Sequence, residues 1–190
     1  KLGICKSNPY DEFKYTKGKD LKEPVFLTEE EIKKIIDYEP GNDKLRKVKD
    51  LFIFQCFTGL AFVDMINFEP GWVSNENGYN IIRGFRKKTG VMFVSLLLPE
   101  AEKVLKKYKG LPKISNQKYN DYLGVLSSGA GINKQVTSHV ARHTFATYLL
   151  NKDIPIETVS KAIGPASVKQ TEHYAKLLAK KTINDMKKLL

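Results

Sequence analysis

The 190-residue chain is poor in the residues that build covalent or metal-centred scaffolds, with 2 cysteines, 3 histidines and 1 tryptophan. Cys5 and Cys56 lie far apart, without a Cys-x-x-Cys or a His-rich neighbour, which excludes a disulfide framework and a structural zinc site. Without disulfides an intracellular location is the default expectation. No run approaches the roughly 18 apolar residues of a membrane span, so no membrane partner is expected. Internal repeats and low-complexity tracts are missing as well. The chain begins at Lys1 rather than at a methionine and reads as a fragment or a processed chain. With 42% hydrophobic and 11% aromatic residues it is too apolar for a disordered polymer. Its length suffices for one self-standing domain with an appended arm.

Acidic residues are the other shortage: 21 Asp and Glu face 32 Lys and Arg, leaving a net charge of +11. On a domain this small the excess points to an anionic partner, nucleic acid first. It is not spread evenly. Residues 26–77 carry −4, whereas 78–120 hold 10 basic and 2 acidic residues and 121–190 hold 10 and 5. The positive surplus therefore belongs to the second half of the chain.

Residues 1–25 are polar, contain Asn8-Pro9 and Lys17-Gly18, and read as a linker or arm. Thr28 with Glu31 forms a capping box ahead of Ile32, Ile35 and Ile36 at helical spacing. A second helix is expected over 43–56, apolar nearly all round and so central, with Gly59 as its stop. Two β-prone runs, 79–86 and 91–96, are joined by Lys87-Lys88-Thr89-Gly90 as a hairpin. If the first strand extends into the turn, its two-residue period puts Arg86 and Lys88 on one face. Helices are then expected over 99–109, 116–128, 138–150, 155–163, 167–178 and 180–189. The fold class is α+β, mostly α-helical, with one small antiparallel sheet.

Three histidines make each informative. In Ser138-His139-Val140-Ala141-Arg142-His143, His139 and Arg142 stand at i and i+3 on one face of a helix start. An imidazole beside a guanidinium there suits a phosphate, because Arg grips two oxygens and the helix N-terminus adds positive potential. His143 points elsewhere and reads as a packing residue. Tyr174, on a short C-terminal helix, is a nucleophile only if cations or a base act on a phenol of pKa about 10.

Taken in order, Thr58-Gly59-Leu60-x-x-x-Asp64, the Lys88-Thr89 hairpin, His139-x-x-Arg142-His143-Thr144, Ile163-Gly164 and Tyr174 resemble the tyrosine recombinase (phage integrase) family. The blocks Phe57–Asp64, Arg86–Val91 and Pro155–Lys161 are most similar to integrases of conjugative transposons. The resemblance covers about residues 25–185 and implies a catalytic domain at 26–190, with the family's preceding core-binding domain absent from this chain. It implies a site-specific DNA recombinase that cleaves and rejoins DNA through a 3′-phosphotyrosine, during integration or excision of a mobile element. Neither metal, cofactor nor ATP is implied. Tyr174 is then the nucleophile and Arg142 the clamp on the nonbridging oxygens. Lys88, with Lys87 as its rival, is the proton donor to the leaving 5′-oxygen, and His139 serves in proton transfer. Asp64 is a brace.

Two positions depart from the family pattern. Ala61 stands where the first of two catalytic arginines is usual, a loss of several kcal/mol by comparison with a missing oxyanion donor at about 3–4 kcal/mol. Arg86 is the expected replacement and Arg83 the second choice. Pro165 stands where the family usually has His or Trp, and proline donates no hydrogen bond. Together these motivate an alternative reading, a DNA-binding module of the same fold with weakened catalysis. Lys113, Lys118 and Lys134, with Arg83 and Lys87, are the candidate DNA contacts. The partners implied are double-stranded attachment sites, further copies in a tetramer on DNA and accessory DNA-bending proteins. The free protein is expected as a monomer in the bacterial cytoplasm, at the nucleoid when bound.

Overall fold

A computed structural model describes residues 24–164 together with 182, 183, 186 and 187. Thr28 and Glu31 exchange the two hydrogen bonds of a capping box, at 2.8 and 3.2 Å, and launch α1 (Glu29–Asp37). Asn42 Oδ1 accepts the Leu45 N–H at 2.8 Å and starts α2 (Asp43–Cys56). Every residue from Leu51 to Leu60 is buried, so α2 and the turn behind it form the axis of the core. Each fully buried Leu or Phe on it contributes about 1.5–3 kcal/mol of transfer free energy. Around α2 pack α1, α4 (Pro99–Lys107), α5 (Asn116–Gly129) and α6 (Ser138–Asn151). A second apolar cluster, centred on Phe145, Leu150, Val159 and Ile163, joins α6 to α7 (Ile156–Ile163).

The sheet has three antiparallel strands in the order β1 (Val73–Glu76), β2 (Tyr79–Phe85), β3 (Met92–Leu96). Ile82, Gly84 and Phe93 face the core, while Tyr79, Phe85, Met92 and Leu96 are exposed. This is the expected class, a mostly helical domain with a small antiparallel sheet. Three elements were not foreseen: β1, α3 (Phe62–Ile66) and a 3-10 helix at Pro70–Trp72. Val73-Ser74-Asn75-Glu76 has one apolar residue and no strand signature of its own. It becomes a strand by pairing with β2 across Asn77 and Gly78, both at positive φ (52° and 83°), a type I′ hairpin. The Asn-Gly pair was the available signal. The helices expected over 167–178 and 180–189 lie outside the described residues, apart from four positions in the second, and so does nearly all of the 1–25 arm. No helix among the described residues is long and apolar enough to cross a membrane.

Candidate active site

The start of α6 is tied down by Asn120, whose Oδ1 accepts the Ser138 N–H at 2.9 Å. One turn on, Arg142 is half-buried, and His139, three residues before it, is exposed. The Arg142 guanidinium spans two distant segments: Nη1 donates to the Gly59 carbonyl at 2.9 Å and Nη2 to the Gly164 carbonyl at 3.3 Å. Both glycines have positive φ, 64° and 71°. A Cβ on Gly59 would stand 2.3 Å from Phe145 Cδ1, and one on Gly164 would stand 2.6 Å from Arg86 Nε. Backbone conformation and close packing therefore both demand glycine at the two positions that hold Arg142.

Arg86 lies beneath Gly164. Its Nη1 donates to Asp64 Oδ2 at 2.9 Å, its Nη2 donates to the Ile163 carbonyl, and its Cζ sits 4.3 Å from the Phe93 ring centroid. Nε has no hydrogen-bond partner. Burial lowers the Arg86 pKa from the ordinary guanidinium value, while the Asp64 hydrogen bond and charge pull it back up. Asp64 is the brace that the sequence suggested, 2% exposed, with its second oxygen accepting the Lys87 N–H at 2.9 Å.

The position of Arg86 corrects the expectation that it shares an open face with Lys88. The strand ends at Phe85, and the backbone turns over 86–90, with the Thr89 and Gly90 N–H groups donating to the Arg86 carbonyl. Arg86 keeps the inward parity of Ile82 and Gly84 and is 6% exposed, whereas Lys87 and Lys88 stand in solvent at the tip. The parity was readable, but Ile81, Ile82 and Phe85 put apolar side chains on both faces of β2, so pattern alone did not say which face was inner. Ala61, where the family's first arginine is usual, is the N-cap of α3, three residues before Asp64.

These elements, in this order, match the phage integrase family over residues 25–181. The chain belongs to the phage integrase family. It is 30% identical over 172 residues to tyrosine recombinase XerA of Pyrococcus furiosus, covering 83% of this chain and 59% of the relative. It is likewise 30% identical over 176 residues to tyrosine recombinase XerH of Campylobacter jejuni, covering 83% and 49%. The chain thus spans about half the length of these relatives. The fold is that of XerH bound to difH in a post-cleavage complex, with TM-score 0.69, 22% identity and coverage of 87% of this chain and 53% of that one. The Tn1549 transposon integrase in complex with circular intermediate DNA gives TM-score 0.60, 18% identity and coverage of 82% and 62%.

Within this integrase fold the remaining basic residues divide into tethered and open ones. Lys134 was expected on DNA, but its Nζ is spent on Glu31 Oε2 at 2.6 Å and the Phe26 carbonyl at 3.0 Å, stapling the first described residues to the loop before α6. Partial burial opposes ionisation of Glu31, yet hydrogen bonds from Lys134 and Thr28 outweigh it and hold its pKa below the ordinary value. Arg83 is exposed but lies against Glu76 at 3.1 Å. The Lys113 ammonium caps the end of α3 at the Ile66 carbonyl. Lys118 is exposed in the first turn of α5. Lys44, Lys47, Lys113 and Lys118 line one groove with Val48, Leu51 and Tyr122, and Lys47 is paired there with Asp43 at 2.7 Å. Lys44 and Lys47 escaped the sequence reading because they sit in the net-acidic stretch, where counting by segment hid them. Tyr174, His173 and Pro165 lie outside the described residues.

Proposed function

We propose that this chain is the catalytic domain of a site-specific recombinase that cleaves and rejoins DNA at an attachment site, using Tyr174 as nucleophile. Tyr174 Oη attacks the scissile phosphorus, the P–O5′ bond breaks, and a 3′-phosphotyrosine keeps the bond energy, so rejoining needs neither ATP nor a metal ion. Arg142 holds the nonbridging oxygens and offsets charge in the transition state. Lys88 gives its proton to the departing 5′-oxygen, with Lys87 as the neighbouring candidate, and His139 serves the proton of Tyr174. The observation that carries this reading is the bridging of Arg142 between the Gly59 turn and the end of α7. The Asp64–Arg86 pair ties the Lys88 turn to the same helix end. Three chain segments that bear the recombinase motifs thereby meet at two glycines.

DNA is held chiefly through phosphates, by Lys87 and Lys88 on the turn and by Lys44 and Lys118 in the groove, which makes binding steeply salt-dependent. XerH and the Tn1549 integrase were captured on DNA. By likeness to them, the working form here is an oligomer, a tetramer on two attachment sites, acting on a mobile element in a bacterial cytoplasm with accessory DNA-bending proteins. Ala61, which places no cation at the N-cap of α3, favours a second reading: a DNA-binding module with weakened catalysis.

One experiment separates the two. The full-length protein is incubated with sheared genomic DNA of its host, quenched in detergent, and covalent protein–DNA adducts are isolated and sequenced. A single recurring junction, lost in Tyr174→Phe, is the expected result. Salt-sensitive DNA retention without any adduct supports the weakened module instead.

A further inference from the structure

We propose that Arg86 is a positioning residue that acts through Lys88: buried beneath Gly164, it fixes the turn carrying the proton donor against the end of α7. The proposal rests on the recombinase reading above. The Arg86 backbone closes that turn, its N–H donating to Val91 O at 2.9 Å and its carbonyl accepting from Thr89 at 3.2 Å and Gly90 at 2.7 Å. Its side chain leaves in the opposite direction, to Asp64 and to Ile163 O, the last carbonyl of α7. Asp64 holds both ends of the device, accepting Arg86 Nη1 on one oxygen and the Lys87 N–H on the other, each at 2.9 Å. Gly164, packed on the Arg86 Nε, passes its own carbonyl to Arg142.

Burial separates the two arginines: Arg142 is half-buried, whereas Arg86 is 6% exposed, with Nη1 on Asp64, Nη2 on the Ile163 carbonyl and Nε beneath Gly164. A proton donor on a four-residue turn needs placement to within a fraction of an ångström of the leaving oxygen, and misplacement by about 1 Å costs on the order of a hundredfold. The Lys88 side chain is exposed, so its placement comes from the root of its turn. The step served is the transfer of an Nζ proton from Lys88 to O5′ as the P–O5′ bond breaks and the Tyr174 Oη–P bond forms.

The test uses the full-length protein on the junction duplex recovered from the adduct experiment, prepared in two forms, with oxygen or sulfur at the scissile 5′ position. A thiol of pKa about 8.5 leaves as thiolate without a proton donor. Arg86→Lys keeps a cation beside Asp64 but cannot bridge to Ile163. On the oxygen duplex it is expected to lower cleavage by roughly a hundredfold. On the sulfur duplex, at saturating DNA, it cleaves at the wild-type rate, as Lys88→Ala does. Asp64→Asn gives the same pattern, which separates placement from the Arg86 charge. Wild-type cleavage of the oxygen duplex by Arg86→Lys overturns the proposal, and so does a deficit of equal size on both duplexes, which would belong to phosphate charge or to folding. If the wild type itself forms no Tyr174 adduct on either duplex, the recombinase reading fails and this proposal fails with it.

Discussion

The sheet has two turns, and they are held in different ways. The β1–β2 turn is local chemistry: Asn77 and Gly78 take the left-handed conformations of a type I′ hairpin, and nothing lies within 4 Å of a Cβ placed on Gly78. Its links are weak and peripheral: Asn75 Nδ2 donates to Asn80 Oδ1 at 2.9 Å, Asn80 Nδ2 to Glu102 Oε1 at 3.3 Å, and Glu76 lies 3.1 Å from Arg83, both exposed. The β2–β3 connection, residues 86–91, is three times as long, yet it is rooted in the core by Arg86, which touches Asp64, Phe93 and the end of α7. A short turn with the right residues makes itself. A longer one that must present a side chain in a set place needs tertiary anchors, and here those anchors come from helices remote in sequence.

The largest effect is expected at the root of the second turn. Arg86→Met leaves Asp64 as an uncompensated buried charge, and urea unfolding should register a loss of about 3–5 kcal/mol. A smaller effect is expected from a methyl group at each end of the same contrast. Gly164→Ala combines a strained φ of 71° with a collision against Arg86 and should cost about 2–4 kcal/mol. Gly78→Ala meets open space and should cost only about 1 kcal/mol of backbone strain. Equal losses at the two glycines would mean that Arg86 yields freely and does not anchor the turn.

Glu31 joins the two modes, since it completes a local capping box and also receives Lys134. Its carboxyl is held below the ordinary pKa, so its contribution is present in full above the unfolded-state pKa and is lost as pH falls through the folded-state value. Glu31→Gln should therefore cost about 1 kcal/mol at neutral pH and nothing once both forms are protonated, as thermal melts from pH 7 to pH 3 would show. The smallest effect belongs to the exposed tip: Lys88→Ala should leave stability within about 0.5 kcal/mol, as the same urea titration would show.

Much of the fold was legible from sequence because its signals are local. The capping box at Thr28 and Glu31, the apolar core of α2 and the start of α6 after Thr137 all appear where their residues indicate. β1 was not legible, because its four residues lack a strand pattern and owe their conformation to pairing with β2. For the candidate site, the motif order singled out Arg142, His139 and Lys88 as expected members, with Asp64 as a brace. It did not separate the cations that are open from those that are spent. Lys134 and Arg86 carry the same formal charge as Lys118, yet the first is bound to Glu31 and the second to Asp64 under Gly164.

The sequence by itself determined the order of elements, the family and the basic bias of the second half, because capping, periodicity, motif spacing and net charge are properties of neighbours along the chain. Only the tertiary structure decided which cations stay exposed and how the turn bearing Lys88 is held. That depends on carboxylates and carbonyls dozens of residues away: Asp64 for Arg86, Glu31 for Lys134, and Gly59 and Gly164 for Arg142. Net charge counts cations wherever they lie, whereas burial and pairing across the fold set which of them face solvent.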